Sequence, residues 1–241
     1  MSSFTVVKEN WLTRRPHAGA LELMLLAVFI LSLANAAFHA DFMGLRDLMP
    51  VSKDAFYQKH EYWRAWTALI AHADWGHLFS NLFLFVPLSY FLFGYFGPWY
   101  FPVTGFFVGG LVNMATILTM PSQVDLIGVS GVVYWMGAAW LTLYLLIERR
   151  ESVRRRLFKV LIIAVGLFLP ESYKPEVSYL AHFYGFVAGV VSSFGYYALN
   201  RDRILAAIVT ETIVEPDDEG PPVAEVEGRI EDDLDDDEYW H

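Results

Sequence analysis

The chain has 241 residues, 55% of them hydrophobic, a net charge of −10 and no cysteine. That apolar share exceeds the roughly 45–50% usual for soluble domains, and the absence of cysteine excludes disulfides and thiolate chemistry. The charge is unevenly placed: residues 211–241 hold fourteen acids and one base, a net −13, which leaves an unremarkable +3 for the remainder, and no nucleic-acid partner is expected.

In chain order, a short N-terminal segment (1–17) precedes the first long apolar run. That run lacks a small-residue cleavage site followed by a soluble domain, so it predicts a membrane span rather than a cleaved leader. A helix needs about 20 apolar residues to cross a bilayer core, and such stretches predict six spans, at about 19–38, 76–96, 99–119, 130–147, 158–170 and 178–199. The fifth is short for a span. The longest loop, between the first two spans, mixes Phe42, Met43, Leu45, Phe56, Tyr57, Tyr62, Trp63 and Trp66 with charges. This composition suits short amphipathic segments at the membrane interface. Residues 204–241 are expected to form a disordered acidic tail, because they have too little apolar surface to offset the entropy of ordering. The tail is then either simply solvated or a segment that binds an unknown partner.

Orientation follows from lysine and arginine placement, since basic loops stay cytoplasmic. With six spans both termini share one side. That side receives Lys8, Arg14, Arg15, the basic run from Arg149 to Lys159, Arg201 and Arg203. The first loop and the loop at residues 171–176 are therefore expected outside, and both termini in the cytoplasm.

Polar residues inside spans are costly and mark function by default. Span two opens with His77 and Asn81, an i, i+4 pair on one helix face. Span four opens with Ser130, within Gly128-Val129-Ser130-Gly131, and span six carries His182 one turn from its start. All three spans run from outside to inside, so these four side chains share the outer part of the membrane. Singly, Ser130 reads as a helix N-cap, His182 as a structural histidine and His77 as an interfacial residue. Their convergence at one depth on three helices favours chemistry instead. A serine hydroxyl needs a base to become a nucleophile, and a neutral imidazole supplies one near pH 7. A serine at a helix N-terminus also sits among backbone N–H groups that stabilise an oxyanion, with Asn81 and His77 as further donors. Asp74, Asp125, Glu171 and Glu176 all fall in loops, and none is assigned as a third member. His182, Gly185 and Gly189 share a face of span six, and glycines there let helices approach closely in lipid. The arrangement calls for no cofactor and no metal.

Trp63-Arg64, His72-x4-His77-x3-Asn81, Gly128-Val129-Ser130-Gly131-Val132-Val133-Tyr134 and Ala181-His182-x2-Gly185-x3-Gly189 occur in the order and spacing of the rhomboid intramembrane serine proteases, which this chain resembles over about residues 20–200. The resemblance implies an all-α membrane protein, a rhomboid-like bundle of six transmembrane helices with a large interfacial first loop, its catalytic domain at 18–203. It implies a Ser130–His182 dyad, His77 and Asn81 as oxyanion donors, and Tyr134 packed on the His182 ring. Trp63, Arg64 and His72 would be structural residues of the first loop. The substrate would be the transmembrane segment of another membrane protein, entering sideways from lipid past span five, and the compact build resembles members of the bacterial inner membrane. The Gly-x-Ser-x-Gly elbow of a soluble hydrolase fails, because Val132 follows two after Ser130. A transporter would show inverted repeats, and none is visible. A non-catalytic membrane adaptor that binds transmembrane clients is the remaining rival.

Overall fold

A computed structural model describes residues 2–122, 124–168, 178–215 and 223–225, and these are mostly helical. The long helices are α1 (Ala20–His39), α5 (Trp75–Pro98), α6 (Gly105–Thr119), α7 (Ser130–Ile147), α8 (Val153–Phe168) and α9 (Tyr179–Leu199). By length and composition, the stretches Ala20–His39, Trp75–Thr119 and Ser130–Ile147 are each able to cross a membrane. Their exposure pattern is that of a body solvated by lipid. Leu21, Leu25, Phe29 and Leu33 of α1 face outward, while Leu31, Asn35 and Phe38 are buried. The centre belongs to α7, in which every residue from Gly131 to Ala139 is buried.

Two boundaries differ from the hydropathy reading. The third span starts at Gly105 rather than 99, because Gly97 adopts φ 77° and Pro98 and Pro102 interrupt the ladder between α5 and α6. The fifth helix starts at Val153 rather than 158, so arginines assigned to a loop form its first turn. Ser152 caps it by accepting from the Arg155 N–H at 3.4 Å, and Arg156 donates to the Leu145 carbonyl at 2.6 Å, satisfying a late carbonyl of α7. Residues 169–170 of that predicted span, and the loop at 171–176, lie outside the described residues.

The loop after α1 folds into three short helices, α2 (Leu45–Leu48), α3 (Lys53–Tyr57) and α4 (Arg64–Thr67). Buried Arg64 holds them together: its guanidinium pairs with Glu61 at 2.7 Å and donates to the carbonyls of Asp47 and Pro50. Helix α6 clasps the same loop. A Cβ on Gly110 would lie 2.2 Å from the Trp66 ring, and Asn113 donates to the Ala65 carbonyl at 2.8 Å. Val51 and Leu126 exchange two backbone hydrogen bonds, so the loop also ties to the segment just before α7.

The opposite end departs most from expectation. Helix α10 (Arg201–Ala206) leads into strand β2 (Val209–Glu215), which pairs antiparallel with β1 (Ser2–Glu9) on one side and β3 (Val223–Glu225) on the other. Within the tail expected to be disordered, residues 204–206 thus end a helix and residues 209–215 form a strand. Residues 209–215 alternate Val209, Glu211 and Ile213 on one face, with Phe4 opposite Ile213 and Lys8 paired to Glu211. Only two of the fourteen acids fall in β2, and averaging over the whole tail hid that pattern. The acidic run at 231–238 lies outside the described residues. After β1, Asn10 donates to buried Glu148 at 2.9 Å and Trp11 to the Tyr95 carbonyl at 2.7 Å, so the N-terminal segment anchors to the ends of α7 and α5. Burial alone would push the Glu148 carboxyl up, but hydrogen bonds and charge from Arg150, with the Asn10 contact, hold it below the usual range.

Helices α7 and α9 approach until backbones touch. A Cβ on Gly185 would sit 2.1 Å from the Gly131 carbonyl oxygen, and one on Gly189 would sit 2.4 Å from that of Trp135. No side-chain rotation relieves a clash with backbone, so Gly185→Ala must force the helices apart. Overpacking ordinarily costs about 1–3 kcal/mol, and this site should lie at or beyond the upper end. The melting temperature in detergent should fall clearly for Gly185→Ala and little for Gly195→Ala, where a Cβ meets open space.

Candidate active site

Ser130 is the first residue of α7. The first hydrogen bond into the helix runs from Val133 N–H to the Val129 carbonyl at 3.0 Å, so the N–H groups of Ser130, Gly131 and Val132 have no intrahelical acceptor. The turn that presents Ser130 is set by Gly128. Its φ of +115° is open to glycine and strained for other residues, and a Cβ there would lie 3.1 Å from the His77 ring. The Gly128 N–H donates to the Ala68 carbonyl at 2.8 Å and the Val129 N–H to His72 Nε2 at 3.4 Å. The turn before Ser130 thus leans on the first loop on one side and on α5 on the other.

His182 lies one turn into α9, which Ser178 caps by accepting from the Ala181 N–H. The imidazole is buried and stacks on Tyr134, with ring centroids 3.8 Å apart and planes at 15°. Tyr134 is four residues beyond Ser130 and shares its helix face. The stacking and the Gly131–Gly185 contact together put His182 at the Ser130 end of the α7–α9 pair.

His77 and Asn81 occupy the first turns of α5. Asp74 caps that helix, accepting from the His77 N–H at 2.8 Å. The His77 ring abuts Gly128 and meets His72 edge-on at 5.2 Å. Asn81 is buried and donates one amide hydrogen to the His77 carbonyl at 3.1 Å, which leaves its second hydrogen for another acceptor. His72 is fully buried. Burial, reinforced by His77 and His39 and opposed by Asp74, brings its pKa down to about 3. Arg64 sits inside the first loop, whereas the Trp63 side chain is 53% exposed and packs at the surface.

Two groups that serve this site were not picked out from the sequence. One is Asp74, whose capping role needs the helix start to be known. The other is Asn35 on α1, buried with its side-chain oxygen 3.1 Å from the His72 N–H. An amide in an otherwise apolar stretch is the same signal that singled out Asn81. Among the described residues no cluster of three or more His, Cys, Asp or Glu could hold a metal ion.

A family model described as the Rhomboid domain matches residues 59–199. A Bacillus subtilis (strain 168) protein described as "Putative rhomboid protease YdcA" is 27% identical over 145 residues, which cover 56% of this chain and 67% of that protein.

The buried histidine has a measurable consequence. Unfolded, His72 takes a proton near pH 6.5, whereas folded it refuses one until about pH 3. Its contribution to stability is therefore complete above pH 6.5 and drains away as pH falls towards 3. Unfolding midpoints of wild type should decline across that window, and His72→Gln should make the decline shallower by up to one proton. An identical slope in both proteins would show that His72 is not held neutral.

Proposed function

This chain belongs to the rhomboid family, and from that membership we propose that it is an intramembrane serine protease with Ser130 as nucleophile and His182 as general base. The observation that carries the reading is the His182 ring stacked on Tyr134, at the end of α7 that begins with Ser130. His182 takes the Ser130 proton as Oγ attacks the scissile carbonyl, then returns it to the leaving amine. Charge developing on the carbonyl oxygen meets the free N–H groups at the start of α7, with His77 and Asn81 adding side-chain donors. The resulting acyl-enzyme is hydrolysed by water, with His182 again as base. Tyr134 fixes the plane of the imidazole, and Gly185 and Gly189 let α9 come near enough to deliver it.

In this reading α1, α5, α6, α7, α8 and α9 are six spans, with both termini cytoplasmic and the first loop outside, in a bacterial inner membrane. The substrate is a transmembrane segment arriving from lipid past α8, which packs against α7 and exposes Leu157, Phe158, Leu161 and Ile162. Residues 18–203 form the catalytic unit. The segments that flank it, 1–17 and 204–241, contribute no proposed site residue, and the acidic part of the tail either stays solvated or meets a partner.

Ser130→Ala and His182→Ala should each abolish cleavage of a reconstituted transmembrane substrate while leaving the fold intact. The double variant should be no worse than either single one, because the two act as a unit. Labelling of wild type, but not Ser130→Ala, by a serine-directed fluorophosphonate separates an enzyme from a client-binding adaptor. Near-wild-type turnover in either single variant would overturn the dyad.

Orientation is tested independently in this cysteine-free chain. Single cysteines at exposed Gln58 and Ser152 should react with an impermeant thiol reagent from outside only at 58. Labelling of 152 instead would invert the topology.

A further inference from the structure

We infer that Asn35, on α1 and outside the family match at 59–199, is a positioning residue for the nucleophile, holding through His72 the turn that presents Ser130. The inference rests on the reading of Ser130 as nucleophile.

The chain of contacts is continuous. Asn35 and His72 are both fully buried. The Asn35 side-chain oxygen accepts the backbone N–H of His72 at 3.1 Å, and the flipped amide would set donor against donor, so the amide orientation is assigned by its partner. His72 Nε2 in turn accepts the Val129 N–H at 3.4 Å. An imidazole that accepts at Nε2 carries its proton on Nδ1 when neutral. Burial, His77 and His39 keep it neutral against the pull of Asp74. Val129 immediately precedes Ser130, and Gly128 before it is flexible by composition and held at φ +115° only by its surroundings. Rotation within this dipeptide moves the serine hydroxyl directly.

The energetics argue against a purely structural amide. Asn35 Nδ2 and His72 Nδ1 are buried without a protein hydrogen-bond partner among the described residues. Buried polar atoms left in that state lose their hydration without compensation, and an apolar pair would avoid that loss. What the pair supplies instead is direction: α1, the first loop and the nucleophile turn become one hydrogen-bonded line. A displacement near 1 Å at a reacting atom can cost about 10²-fold in rate.

The test uses the full chain in detergent, comparing wild type, Asn35→Ala and Asn35→Asp. Asn35→Ala should lower kcat, and the rate constant for fluorophosphonate labelling of Ser130, by about tenfold or more with KM little changed. Asn35→Asp restores the acceptor, but a buried carboxylate beside His72 favours the imidazolium, which cannot accept the Val129 N–H. Its activity should recover at alkaline pH and fall at a higher pH than in wild type, a shift that loss of packing does not produce. Two further readouts do not depend on catalysis. Nitrogen-15 NMR should place the His72 proton on Nδ1, and Asn35→Ala should speed hydrogen exchange at Val129. Unchanged kcat per folded molecule in Asn35→Ala, a His72 proton on Nε2, or unchanged Val129 exchange would each overturn the inference. If wild type shows no Ser130-dependent labelling, the protease reading fails, and the tautomer and the exchange rates still decide whether Asn35 holds the turn.

Discussion

The backbone contact between α7 and α9 is the constraint on which the rest of the molecule depends. Lipid offers two helices no hydrophobic reward for meeting, so they associate through close packing and hydrogen bonds. Here Gly185 lies against the Gly131 carbonyl and Gly189 against that of Trp135. Ser193 adds a hydrogen bond from α9 to the Ala139 carbonyl at 3.2 Å, and the Trp135 indole donates to Ser192 at 3.0 Å. This seam sets the height of one helix against the other. The height determines that Tyr134 meets His182 ring to ring, and hence which polar groups share a level.

The seam positions His182 but does not shape the turn that precedes Ser130. That task falls to the first loop, whose short helices are pinned by Arg64 from within and by α6 from the side. Ala68 and His72 then accept the two N–H groups that precede Ser130. Backbone polar groups away from water need partners, and irregular backbone at membrane depth is tolerated only where protein supplies them. The turn before Ser130 meets that requirement by borrowing acceptors from a loop that itself folds as a small body.

The end of the molecule opposite the candidate site shows a parallel economy. Helices α5, α7 and α9 carry the candidate site, and all three are tied there by the chain ends. Trp11 and His17 donate to carbonyls near the end of α5, Asn10 binds Glu148 just past α7, and β1 pairs with β2, which follows α9 through α10. The fold therefore closes at the side opposite the candidate site, leaving the end that carries the site shaped by the loop.

Hydropathy alone located α7 at residues 130–147 and α9 within a residue of its start, because a run of apolar side chains long enough to cross lipid has few alternatives to a helix. Charge placement along the loops was enough to set Ser130, His182, His77 and Asn81 at one expected depth, since depth follows from the order and direction of spans. Local sequence also carried the glycines that allow close approach. Contacts between distant segments were decided only in three dimensions. Nothing in the order of residues says that the Asn35 oxygen meets the His72 N–H, that Asn10 reaches Glu148, or that residues 209–215 leave an acidic tail to pair with residues 2–9. Each such pairing brings together groups 37 to 213 residues apart, and a hydrogen bond depends on the final separation of its atoms rather than on either partner's local pattern. Composition could therefore specify which residues would seek a polar partner inside the membrane, while the packing of α1, the first loop and the chain ends decided which partner each one found.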